Sequence, residues 1–323
     1  MTGELDRRRL VALVAFVFVL AVLPFFLADY FLSVLIVFLV AAYLGQSWNI
    51  MMGFAGQLSI GHALYYGLGA YVAAALYVHW GVLPWFGMIA GAVVAGAAGA
   101  GIAALSFRFG VTGVYFALLT IAFNEFTHIL FNHFSWVGGS AGLFLPVVNL
   151  AHNDFVHLRG SPTMFYYLLL AMVLGALGLS RFLLRRRIGY YWLAIREDPE
   201  AAASLGIDVF RGKLAAMTLS ASLTAIAGSV MAFYDNNLYP DTIFTTARSV
   251  EIITAPIIGG IGTLMGPIVG ALVLTVLGEA MTTVNASLGI AGLKQFFYSG
   301  ALVLIVLVQP SGLWPWLKRQ LRL

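Results

Sequence analysis

Glu125 and His128 stand three positions apart inside the apolar stretch 113–134, with Asn124 beside them. On a helix that spacing puts the carboxylate and the imidazole on one face. Inside a bilayer such a pair either handles a proton or a solute, or closes on itself and fixes how its helix packs. Ionisable groups in hydrocarbon are costly and mark functional sites by default. A second polar set, Gln57, Ser59 and His62, lies among closely spaced glycines in 49–63. His62 reads first as a packed, hydrogen-bonded histidine and second as a pathway contact. Glu279 sits in another apolar run with no cation near it in sequence, whereas Glu251 reads as solvated near an interface. These seven residues (Gln57, Ser59, His62, Asn124, Glu125, His128 and Glu279) are the candidates for a translocation path or a buried polar network.

Other chemistries are excluded or disfavoured. The chain has no cysteine, which removes disulfides and thiolate metal sites. His152, Asp154 and His157 are too few for a metal site without further ligands, and none is expected. No nucleophile stands at a useful spacing from a base, so an integral membrane enzyme is disfavoured. A phosphate-binding loop of the form Gly-x-x-x-x-Gly-Lys-Ser/Thr is absent, and 262–266 lacks the lysine such a loop needs. No cofactor is therefore expected on this chain, and any nucleotide chemistry belongs to another one.

One polar island interrupts the apolar sequence: Arg196-Glu-Asp-Pro-Glu-Ala-Ala-Ala-Ser-Leu-Gly-Ile207. Asp198 is suited to cap a helix, Pro199 to open it, and Glu200 to meet the positive end of its dipole. Ala201, Ala202, Ala203 and Leu205 are strong helix formers, and Gly206 permits the left-handed residue that ends a helix. A helix of about 7 residues spans roughly 10 Å, far too short to cross a bilayer. Its small side chains suit it to press into a groove on another protein.

The surrounding elements must be membrane helices. The chain is 61% hydrophobic and only 9% charged, against roughly 25% charged in a soluble domain. Apolar runs predict crossings near 10–27, 30–50, 58–79, 83–106, 113–134, 162–184, 212–235, 248–262, 266–284 and 293–309. The expected fold is all-α, a single polytopic domain over 1–323 with about ten transmembrane helices and a cytoplasmic coupling loop at about 185–213. Arg7, Arg8, Arg9, Arg108, Lys318, Arg319 and Arg322, with the basic residues around the short helix, mark one side as cytosolic. Both termini then face the cytoplasm, and only Arg159, Arg248 and Lys294 remain opposite. The basic balance thus reports topology and not nucleic-acid binding. The first run, although preceded by arginines, continues through Pro24 and Asp29 into the next and reads as a retained helix. Glycines and prolines interrupt 248–262 and 266–284, leaving open whether these are full spans or a broken, re-entrant helix.

Four ordered blocks carry a family resemblance. Asn49, Gly53, Gly56, Gln57, Ser59, Gly61, His62 and Ala63 resemble a signature of branched-chain amino-acid ABC transporter permeases of the LivM type. Gly113-Val-Tyr-Phe-Ala-Leu-Leu-Thr-Ile-Ala-Phe123, the 194–207 stretch and the glycine-rich 259–271 block are similar to the family's later blocks. Val137 and Ala141 depart from it, standing where polar residues are expected. The resemblance implies half of a translocation path in a bacterial inner membrane, paired with a homologous permease subunit. It also implies two cytosolic ATPase subunits carrying ATP and Mg, and an extracytoplasmic solute-binding protein. Arg196, Asp198, Glu200, Ala201, Ala202 and Gly206 become the ATPase-coupling residues, and small hydrophobic amino acids the solute. Urea, short amides and aromatic acids stay open as solutes. So do an ion-coupled secondary transporter and a passive channel, although neither has a use for an ATPase-docking helix.

Overall fold

The computed structural model describes residues 20–25, 28–146, 153–288 and 311–320, with single positions 300, 303, 307 and 309. Most of the expected crossing 10–27 and of 293–309 lies outside these residues. Within them the long elements are α1 (Asp29–Asn49), α2 (His62–Trp80), α3 (Pro84–Arg108), α4 (Gly113–His133) and α5 (Pro162–Leu184). The cap-bearing loop holds α6 (Arg187–Glu197) and α7 (Pro199–Ser204), followed by α8 (Val209–Asp235). Beyond a one-turn α9 (Pro240–Ile243) come α10 (Thr246–Gly259), α11 (Gly266–Leu288) and α12 (Leu313–Gln320). Among the described residues, five helices are long and apolar enough to cross a membrane: α1 with its extension to Phe54, α3, α4, α5 and α8.

Segment 248–262, which the sequence leaves between a full span and a broken one, forms a helix too short to cross. At 14 residues α10 reaches about 21 Å, short of the roughly 30 Å of hydrocarbon. Its N-terminus meets that of α2 inside the bundle, where the Ser249 hydroxyl accepts the Ala63 N–H at 3.0 Å. The 23 residues of α11 are enough for a full crossing.

Small residues bring α2, α3 and α8 into backbone contact. Gly69 on α2 lies against the Ala225 backbone, Gly228 on α8 against Tyr66, and Gly87 and Gly91 on α3 against Ala73 and Gly69. Hydroxyls bridge the same seams: Ser229 donates to the Gly69 carbonyl at 2.9 Å, and Ser222 to that of Ala92 at 2.9 Å. This is the small-residue packing by which helices associate where lipid offers no hydrophobic drive. α1 runs through the middle, touching α5, α8, α10 and α11. At the end remote from α6 and α7, a short antiparallel ribbon pairs Leu143 with Leu238 and Phe144 with Asn237.

Candidate functional site

The α6–α7 loop takes the capped form expected of it. Asp198 Oδ1 accepts the backbone N–H of Glu200 at 2.8 Å and of Ala201 at 3.0 Å. Gly206 has φ +84°. Its N–H bonds the Ala203 carbonyl, and that of Ile207 the Ala202 carbonyl, the paired bonds of a Schellman end. Ala202 is buried, whereas Leu205 is 82% exposed and Glu200, Ala201 and Gly206 also face outward. Trp192, fully buried on α6, donates to the Gly212 carbonyl at 2.8 Å and seats the loop on α8. Arg211 pairs with Asp208, the cap of α8, at 3.2 Å, and buried Lys213 lies over the Phe107 ring. Arg196 turns inward: its Nη1 donates to the Gly53 carbonyl at 2.8 Å.

Gln57, Ser59 and His62 lie inside the bundle with their polar atoms engaged. The Ser220 hydroxyl donates to the Ser47 carbonyl at 2.8 Å. That leaves His62 Nε2 to donate to Ser220 at 2.9 Å and Nδ1 to accept from Ser59 at 3.3 Å. Gln57 instead donates to the Ala55 carbonyl at 3.1 Å. Trp48 holds the Ser59 carbonyl and Thr120 the Ile60 N–H, so the linker 55–61 is bonded to α1 and α4. This chain of bonds fixes the break between α1 and α2, and the packed reading of His62 describes it well.

The second set is more open. Glu125 Oε2 and His128 Nδ1 lie 3.5 Å apart, the i,i+3 pair that the spacing predicts, and each group also has a partner outside α4. Glu125 Oε1 accepts the Thr246 hydroxyl at 2.9 Å, and His128 Nε2 lies 2.8 Å from Asp241. The Asn132 amide also donates to Asp241 at 2.9 Å. Hydrogen bonds from Asn132 and then His128 hold the Asp241 carboxyl below its ordinary range. Buried Asn124 donates to the Phe244 carbonyl. α4 therefore grips the α9–α10 connection, and Glu125 keeps a half-exposed carboxylate beside exposed Leu118, Phe126 and Ile129. Sequence reasoning missed Asp241 and Thr246 because more than a hundred residues separate them from their partners. Arg248, assigned by sequence to the side opposite the loop, lies in the first turn of α10 and bonds Tyr66 and Glu251, each at 3.2 Å. Glu279, remote from both sets, accepts the Tyr30 hydroxyl.

The His152–His157 segment is described only from 153 onward. There His157 Nδ1 lies 2.7 Å from Asp154, whose other oxygen accepts the Val156 and His157 N–H groups. These hydrogen bonds, His157 first, hold the Asp154 carboxyl below its usual range. The geometry is that of a self-capped turn.

Because Gln retains an acceptor for Thr246, Glu125→Gln should cost about 1 kcal/mol of stability, the difference between a charged and a neutral hydrogen bond. Folded yield and thermal midpoint in detergent are expected to stay near the parent's. A collapse in yield would mean that the charged contact with His128, and not the bond to Thr246, holds α4 in place.

Residues 30–308 match the family described as branched-chain amino acid transport system / permease component. The chain belongs to this family. The permease is 31% identical over 304 residues to the high-affinity branched-chain amino acid transport system permease protein LivM of Escherichia coli K12, covering 87% of this chain and 69% of that one. It is 25% identical over 284 residues to LivH of the same organism, covering 84% and 90%. A shorter match, 33% over 126 residues, covers 37% of the permease and 34% of the fructose import permease protein FrcC of Rhizobium meliloti. No solved structure matches. Family and apolar helices together make the permease an all-α, multi-pass membrane protein.

Proposed function

We propose that the permease is one of two membrane subunits of an ATP-driven importer for branched-chain amino acids in a bacterial inner membrane. A homologous permease subunit completes the path, an extracytoplasmic binding protein delivers solute, and two cytosolic ATPases bind ATP and Mg. On this reading about ten helices cross the bilayer, both termini are cytoplasmic, and loop 185–213 faces the ATPases. The observation that carries it is α7: a helix capped at both ends, in a loop that buried Trp192 of α6 fastens to α8, with Leu205, Ala201 and Ala203 turned outward. An ion-coupled transporter or a channel has no use for such a surface. The names of the LivM and LivH relatives support the solute class; the fructose permease among the relatives marks sugars as the alternative.

One observation favours a second reading. The His128–Asp241 contact and the half-exposed Glu125 carboxylate are groups that an ion-coupled transporter uses. A single experiment separates the two. The permease, co-expressed with a partner permease and the ATPases, should purify as a stoichiometric complex. In liposomes supplied with binding protein, leucine uptake should require ATP and persist when the proton and sodium gradients are collapsed. Uptake by the permease alone, driven by an ion gradient, would replace the importer reading with the second one.

A further inference from the structure

Arg196 occupies space that two glycine blocks leave free. Its Nη1 donates to the Gly53 carbonyl at 2.8 Å. A side chain at Gly56 would lie 3.0 Å from Arg196 Cγ, and one at Gly262 would lie 2.7 Å from Nη1. Asn49 closes the same junction from the other side. Its Oδ1 accepts the Gly262 N–H at 2.8 Å, and its Nδ2 donates to the Thr263 carbonyl at 2.9 Å. Three elements therefore meet in one knot: the end of α6, the π-helical turn Ile50–Phe54 that ends α1, and the loop between α10 and α11. Only Glu197 separates Arg196 from Asp198, the cap of α7, and its carboxylate holds Arg196 Nε and Nη2 at 3.1 and 2.6 Å.

We infer that Arg196, with Asn49, is the latch that passes displacement of α7 to the two glycine breaks. It acts as a positioning residue and not as part of the ATPase contact. The inference rests on the importer reading. Both breaks lead directly to the buried or half-buried polar groups His62 and Thr246. The turn Ile50–Phe54 continues through linker 55–61 to the N-terminus of α2. The 260–265 loop ends α10, whose first turn carries Thr246 against Glu125. α10 is a single helix of 14 residues in which Pro256 removes one internal bond near the Gly259 end, so a pull there reaches Thr246 through the unbroken turns before Pro256. Bistable contacts between packed elements, and not continuous deformation, transmit such motion.

The test uses the full importer, with partner permease, ATPases and binding protein, in liposomes. Three readings are taken: ATPase co-purification, stimulation of ATP hydrolysis by leucine-loaded binding protein, and leucine taken up per ATP. For Arg196→Ala and for Asn49→Ala, co-purification should stay near the parent's while leucine per ATP falls by about fivefold or more, with stimulation lost. The double variant should be no worse than either single one, because both open the same knot. Arg196→Lys, which keeps one donor for Gly53, should recover part of the coupling. If Arg196→Ala loses its ATPases, Arg196 is a docking residue and the latch is wrong. Parental leucine per ATP in Asn49→Ala, a site away from α7, overturns it as well. A parent complex that takes up leucine without consuming ATP would instead sink the importer reading, and the latch with it.

Discussion

Gly206→Asp should reach the membrane and fold normally, yet lose its ATPase partners. Gly206 sits at φ +84°, which an L-residue adopts at a cost of about 1 kcal/mol or more. Among the described residues nothing lies within 4 Å of where its side chain would project. The new carboxylate therefore meets no obstacle in the isolated permease and adds only local strain at the end of a six-residue helix. On the importer reading that open space is where an ATPase subunit docks, so bulk and charge are met there and nowhere else. Association should fall by roughly tenfold or more, about 1.4 kcal/mol, and stimulated ATP hydrolysis should fall with it. Gly206→Ala separates the causes, since it carries the same strain without the charge and should have a smaller effect. Glu200→Ala removes only a favourable dipole contact worth about 0.3–1 kcal/mol and should be milder still. Membrane insertion, read from solubilised yield, serves as the control. If Gly206→Asp keeps parental association and uptake, α7 is not the coupling element.

How much of this was legible in the sequence depended on how local the determining contacts are. α5 begins at Pro162 and ends at Leu184, as read, because a proline suited to the first helical position opens it and a run of arginines follows it. The two caps of α7 were legible for the same reason: Asp198 and Gly206 act on backbone groups within a few residues. α2 starts at His62, four residues after the start that the apolar run predicts. Residues 58–61 are apolar enough to extend a helix, but their backbone groups bond Trp48 and Thr120 instead. The role of Glu125 was half legible. Its spacing to His128 set their common face and their contact, whereas its second partner, Thr246, becomes visible only once α10 is known to start inside the bundle. Arg196 shows the same limit, since its neighbours Gly53 and Gly262 belong to separate glycine blocks. The structure makes them the room around one guanidinium.

Gly228→Val should be severely damaging to the permease, because it strikes where two helix backbones touch. A side chain built at Gly228 falls on the Tyr66 carbonyl, and one at Gly69 falls on the Ala225 backbone; neither obstacle is a flexible side chain that can swing aside. α2 and α8 would have to separate, and α3 with them, since Gly91 rests on the Gly69 backbone. Overpacking a rigid contact costs about 1–3 kcal/mol and sometimes more. Separation also breaks the bond from Ser229 to the Gly69 carbonyl, for about 1 kcal/mol further. A loss of roughly 3 kcal/mol or more is a large share of a total stability of about 5–15 kcal/mol. Gly228→Val and Gly69→Val are each expected to give little monodisperse protein and a sharply lowered thermal midpoint. Gly101→Ala and Gly175→Ala provide the contrast, because both glycines lie within helices and no described residue lies within 4 Å of the added methyl. With no clash, the gain in helix propensity, up to about 1 kcal/mol, should hold or raise the midpoint. A destabilisation equal to that of Gly228→Val at these open sites would mean that glycine acts here through flexibility, and that close approach of α2 and α8 is not what holds the bundle together.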